Sequence, residues 1–197
     1  ALSQLRHYEQ DGYDVTGDTR SQVYGGRSCE DARSNQAVDA TADIIMTYDA
    51  KPITAYFHAS SGGYTEDSEN VWGNEVPYLR AVPDFDQNNP HYKWEKPYTA
   101  IQISALLRKA GHEIGQLRAV QLSALGQQPC NVPDRGVSGR VKIIKFIGTV
   151  GSIELTGNQA RSIFGLNSTL FDVAMSSLSA NPPSTDISIT DSDGDHI

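Results

Sequence analysis

Between Arg140 and Gly165 the sequence leaves little choice of local structure. Arg140–Ile147 and Ser152–Leu155 are rich in β-branched residues and read as strands. Gly148-Thr149-Val150-Gly151 joins them as a turn. Thr156-Gly157-Asn158-Gln159 follows at once with the Thr-x-x-Gln pattern of a capping box, and Gly165 closes the helix it opens. Two strands followed directly by a helix are not one unit of a regular β-α-β alternation.

The rest of the chain agrees with that reading. Ala1 to about Glu9 has the spacing of a helix tail, stopped by Asp11-Gly12. A polar loop follows to Ser28, and Glu30–Ala40 suits a short helix. Asp43–Tyr48 and Ile53–His58 are β-rich runs that predict a hairpin around Asp49-Ala50-Lys51-Pro52. Thr99–Ala110 carries Ile103, Leu106, Leu107 and Ala110 on one helical side with Gly111 as a stop. Leu117–Leu125 is a further strand. The expected fold class is α+β: mixed or antiparallel strands with a few helices forming a cleft. One domain is expected over residues 1–173, followed by a flexible polar tail over 174–197, rich in Ser, Pro and Asp.

Composition narrows the partners. A net charge of −8 and a sequence pI near 5.0 argue against nucleic acid, which is bound through clustered Lys and Arg. No apolar run approaches the roughly 20 residues that a membrane span needs. Ala1-Leu2-Ser3-Gln4 has neither an initiator Met nor a signal-peptide layout, so the sequence reads as a processed chain or a piece. Cys29 and Cys130 either pair in an oxidising compartment, closing a loop of about 100 residues worth up to ~4.7 kcal/mol, or are two unrelated thiols. With no Cys-x-x-Cys, structural zinc is not expected. Asp191-Ser192-Asp193-Gly194-Asp195 lacks the closing Glu of a calcium loop and reads as a solvated acidic tail. No cofactor is expected.

The chemistry concentrates between Ile53 and Pro77. A strand running into Ser60-Ser61-Gly62-Gly63 can turn sharply beside His58, and Thr65, Glu66, Glu69 and Trp72 follow. Hydroxyls, a carboxylate and an aromatic face are what a saccharide requires. Taken singly, His58 is as readily a structural hydrogen-bonder and Trp72 a core residue. Ser60 or Ser61 near His58 is only superficially a hydrolase site, because the Gly-x-Ser-x-Gly elbow is absent.

Taken together, these residues resemble a known family. Ser21-Gln22-Val23-Tyr24-Gly25-Gly26, the run from Pro52 through His58-Ala59-Ser60-Ser61-Gly62-Gly63-Tyr64-Thr65-Glu66, Val71-Trp72-Gly73 and Pro77-Tyr78-Leu79-Arg80 occur in the order of the stage II sporulation protein D and amidase-enhancer family. Gly139-Arg140-Val141, Gly157-Asn158-Gln159-Ala160-Arg161 and Leu166–Phe171 extend the resemblance. It implies an extracytoplasmic peptidoglycan domain. The family includes lytic transglycosylases, which cut the glycan between N-acetylmuramic acid and N-acetylglucosamine to leave 1,6-anhydro ends, and enhancers of a cell-wall amidase. One carboxyl of raised pKa serves that cleavage as both acid and base.

The resemblance implies substrate contacts from Gln22, Tyr24, His58, Ser61, Thr65, Glu66 and Trp72. The family's catalytic glutamate sits in a Glu-Met-Pro-like element upstream of the position of Ala1, so the catalytic residue is unassigned here. Some relatives bind zinc through Cys and His; His58 has no cysteine near it in sequence, so no metal is expected. The expected partners are glycan strands and either an amidase or the segment that carries the glutamate. A non-catalytic, peptidoglycan-binding or amidase-enhancing module is the alternative to an enzyme.

Overall fold

A computed structural model describes residues 6–18, 20–21, 23–176 and 186–190. They divide into two compact units, residues 1–57 and 58–197, where the sequence led us to expect one domain up to residue 173.

Among its described residues the first unit holds one α-helix, α1 (Ala32–Ala40), whose N-cap Asp31 accepts from the Arg33 amide. The expected amino-terminal helix falls partly outside the described residues; within them there is a short 3-10 turn, Glu9–Asp11, ended by Gly12. The expected hairpin forms, but in a tighter register. Its strands are only β1 (Thr47–Tyr48) and β2 (Lys51–Pro52), and the turn is Asp49-Ala50, both at positive φ. Two left-handed central residues make the two-residue turn whose twist suits a hairpin, so pairing starts at Lys51 and its last rung is the Ile53 amide on the Met46 carbonyl, short of the expected run to His58. None of the described residues of this unit is buried.

The second unit is α+β, and all its strand pairs are antiparallel. After a short helix α2 (Ser68–Trp72) come β3 (Glu95–Thr99), α3 (Ala100–Lys109), β4 (Leu117–Gln121), β5 (Ile143–Gly148), β6 (Ser152–Thr156), α4 (Gly157–Phe164), β7 (Asp172–Ser176) and β8 (Asp186–Thr190). One sheet has the order β4-β5-β6 and a second the order β3-β8-β7. The capping box of α4 is present in full, Thr156 with Gln159, and Gly165 ends the helix in the left-handed region. The same device, Thr99 with Gln102, opens α3. Each box satisfies orphan amides of the first turn and fixes where strand gives way to helix.

The core gathers the inward residues of both helices and both sheets. Ile103 and Leu107 of α3, Leu117 of β4, Ile144 and Phe146 of β5, Leu155 of β6, and Ala160 and Phe164 of α4 are buried together. Phe171 and Ile189 join them. The rings of Phe146 and Phe164 pack 5.3 Å apart, and the Tyr98 hydroxyl donates to the Phe164 carbonyl at the end of α4. Contrary to the expectation of a flexible tail from residue 174, Asp186–Thr190 is the central strand of the second sheet, between β3 and β7. Asp-Ile-Ser-Ile-Thr alternates with period two, and that local pattern prevails over its Ser- and Asp-rich surroundings. Residues 191–197, with the acidic motif, lie outside the described residues.

Candidate functional site

The loop singled out by its sequence is built around two carboxylates. The first is Asp86, which the sequence reading overlooked. It accepts from the hydroxyl of Ser60 at 2.6 Å, the hydroxyl of Ser61 at 3.2 Å, and the amides of Ser61, Gly62 and Gly63 at 2.7, 3.3 and 2.9 Å. Successive amides that converge on one anion form a nest, which requires the backbone to enter the left-handed region. Gly62 and Gly63 do so, with φ of 70° and 86°, and a Cβ on Gly62 would lie 2.6 Å from a Leu170 methyl. Burial alone would raise the pKa of Asp86, but the donors outweigh it and hold the carboxyl down at about 2.

The second carboxylate is Glu66. Its Oε1 accepts from the Asp67 amide at 3.0 Å, the Asn70 amide group at 2.9 Å and the Val137 amide at 3.0 Å. Its Oε2 accepts from the Ser138 amide at 3.2 Å and the Ser138 hydroxyl at 2.5 Å. Arg140 then ties the two loops again, donating to the carbonyls of Ser61 at 2.6 Å and Tyr64 at 3.0 Å and to the Ser138 hydroxyl at 2.9 Å. Beneath the 136–140 loop the buried guanidinium of Arg135 bonds the carbonyls of Ser123, Gly139 and Phe171 and the carboxylate of Asp172. Buried arginines persist only when their donors are met in this way.

Between these loops and the start of α4 lies a groove of about 450 Å³. Glu66, Glu69, Asn70 and Val71 line one wall; Arg140, Val141, Lys142 and Ile143 the other; Thr156, Gly157, Asn158 and Thr169 complete it. Of the charged groups, Glu66 and Arg140 are spent on the protein itself. Glu69 takes both arms of Arg80, at 2.7 and 2.8 Å, and this guanidinium holds its carboxyl below the usual range. The ammonium of Lys142 pairs with none of the described residues.

The expected contact residues are therefore distributed unevenly. Glu66 lines the groove. Ser61 is buried, with its amide and hydroxyl on Asp86 and its carbonyl on Arg140. The Thr65 hydroxyl accepts from the Val82 amide and faces the carbonyls of Arg80 and Val82. Trp72 ends α2, half exposed, one residue beyond Val71. His58 is exposed at the start of the second unit. Tyr24 belongs to the first unit, where its hydroxyl donates to Glu30 at 2.7 Å. Gln22 lies outside the described residues.

Lys142, Asn158 and Thr169 were not singled out for the groove. Each stands in a segment that reads first as strand, cap or connection, and no local signal marks their convergence. Among the described residues no cluster of His, Cys, Asp or Glu has the geometry of a metal site, and Cys29 and Cys130 carry free thiols, the former exposed. No helix among them is long and apolar enough to cross a membrane.

Residues 1–48 match the family described as Stage II sporulation protein, and residues 79–185 the family described as Domain of unknown function (DUF8618). Stage II sporulation protein D of Bacillus subtilis (strain 168) is 32% identical over 137 residues, 69% of this chain and 35% of that protein. The Amidase enhancer of the same organism is 41% identical over 92 residues, 47% of this chain and 13% of that protein. Stage II sporulation protein D of Bacillus amyloliquefaciens is 36% identical over 87 residues, 42% of this chain and 25% of that protein. The aligned part of this chain thus spans between 13% and 35% of the length of these relatives.

Proposed function

The chain belongs to the stage II sporulation protein D and amidase-enhancer family, and over residues 79–185 to the DUF8618 family; from that premise we propose that its groove binds the glycan strands of peptidoglycan. The observation that carries this reading is the lining of the groove. Its volume suits one or two sugar rings. Val71 and Ile143 offer aliphatic surface to ring faces, Asn70, Asn158, Thr156 and Thr169 offer amides and hydroxyls, and Lys142 is a cation that pairs with none of the described residues. Trp72 and His58, both exposed, are retained as contacts, whereas Ser61 and Thr65 shape the loop.

As a lytic transglycosylase the protein needs a carboxyl of raised pKa at the glycosidic oxygen. Glu69 is shifted the other way by Arg80, and both oxygens of Glu66 are occupied. We therefore assign the groove to binding and leave the acid to the family's Glu-Met-Pro-like element. The setting is the cell envelope, and a cell-wall amidase is the second partner class, on the strength of the relative named Amidase enhancer.

The test is co-sedimentation with purified sacculi, followed by mass spectrometry of the supernatant for anhydro-muropeptides. Lys142→Ala combined with Asn158→Ala is expected to lower the bound fraction about tenfold, the loss of roughly two hydrogen bonds. A wild-type chain that stays in the supernatant sinks the reading. Anhydro products released by this chain alone would overturn the division between binding and acid.

A further inference from the structure

Glu66 was expected to touch the ligand, and the hydrogen bonds around it argue for another role. An ionised carboxylate offers about four lone-pair sites. Five donors already converge on this one, three on Oε1 and two on Oε2. A sugar hydroxyl could bond to Glu66 only by displacing one of them. The donors also come from both sides of the groove: Asp67 and Asn70 from the loop and helix of one wall, Val137 and Ser138 from the loop that leads into the other.

The surroundings leave no slack. Ser138 is fully buried, and its hydroxyl donates to Glu66 while accepting from Arg140. Gly136 is buried as well, and a Cβ there would lie 2.2 Å from Oε2 of Glu66, so the backbone can approach the carboxylate only as glycine. The chain from Arg140 runs straight into Val141, Lys142 and Ile143 of the second wall. The Lys142 backbone is held in turn by the Asp134 carbonyl and the Gly157 amide, so what the Glu66 latch adds is the tie between this segment and that of Asn70.

We infer that Glu66 is a positioning residue, which sets the separation of the two walls and holds Asn70 and Lys142 for the ligand without contacting it. The inference rests on the groove being the glycan site, and its test separates the two. Amide exchange is measured in the whole chain without ligand, alongside affinity for soluble glycan strands released from sacculi by amidase. Glu66→Gln places an amide donor against donors, so the Val137 and Ser138 amides are expected to lose about tenfold in protection, and affinity to fall by a similar factor. Gly136→Ala, with Glu66 intact, should reproduce both effects by pushing the same latch apart. Lys142→Ala should weaken binding and leave both amides as protected as in the wild type.

Binding lost in Glu66→Gln with protection retained would mean direct contact and overturn the inference. So would protection unchanged in both latch variants. If the wild type binds no glycan, the functional reading fails, while the exchange comparison still judges the latch.

Discussion

The five hydrogen bonds that Asp86 accepts from Ser60, Ser61, Gly62 and Gly63 make it the residue on which the shape of the loop depends. Of the three amides pointed at this carboxylate only that of Gly62 has a second acceptor, the Ser60 hydroxyl at 3.3 Å, so removing the anion leaves several donors unmet. Asp86→Ala is expected to cost roughly 2 to 3 kcal/mol, read as a lower midpoint in urea at pH 7. The pH dependence has a definite sign. The folded-state pKa is depressed from 3.8 to about 2, so ionised Asp86 contributes stability that is fully present above its unfolded value. That contribution fades as pH falls from about 4 through about 2. Asp86→Asn cannot titrate, so the gap in stability between it and the wild type should close over that window. Parallel stability curves for the two proteins between pH 5 and pH 2 would show that Asp86 is not held as described.

Among the elements, β8 is the one whose placement matters most and was least expected. It lies between β3 and β7, and Ile189 enters the main core at 2% exposure. Truncation of a buried isoleucine costs roughly 2 to 5 kcal/mol, by lost transfer energy and the cavity left behind. Ile189→Ala should lower the urea midpoint accordingly while the folded fraction binds sacculi as before. A change within about 0.5 kcal/mol would be that of a surface site and would remove β8 from the core. The contrast with α4 explains what could be read in advance. Thr156, Gln159 and Gly165 act within one helix, so their residue types alone mark its ends. The hairpin β5-β6 is equally local. β8 is set by partners at Lys96 and Val173, far along the chain, and its own Asp, Ser and Thr resemble the polar run around them. The groove follows the same rule. The residue types of Glu66 and of the Ser-Ser-Gly-Gly turn mark their segment but not what Glu66 bonds to, while Asp86 and Ser138 act through contacts, and Lys142 reaches the groove by a convergence, that only the fold creates.

At the scale of the whole molecule, burial among the described residues is confined to the second unit. The core runs from Ile103 to Ile189, whereas residues 6–57 contain no buried residue among those described and expose Ile44, Met46, Tyr56 and Phe57. Cooperative unfolding needs apolar area withdrawn from water, and local opening is cheapest where little is withdrawn. In the intact chain, amides of the first unit should exchange near the unprotected rate, including those of α1, while amides of β4, β5 and β6 exchange only through global opening. A chain shortened to residues 58–197 should then keep a single cooperative urea transition, with a midpoint close to that of the full chain, because the groove, the latch and the core are all retained. A shortened chain that loses its transition would mean that the first unit supplies burial after all, and strong protection of α1 in the intact chain would mean the same. Retention of sacculus binding by the shortened chain would go further, since it would place Tyr24 and Gln22 outside the contacts that glycan binding requires.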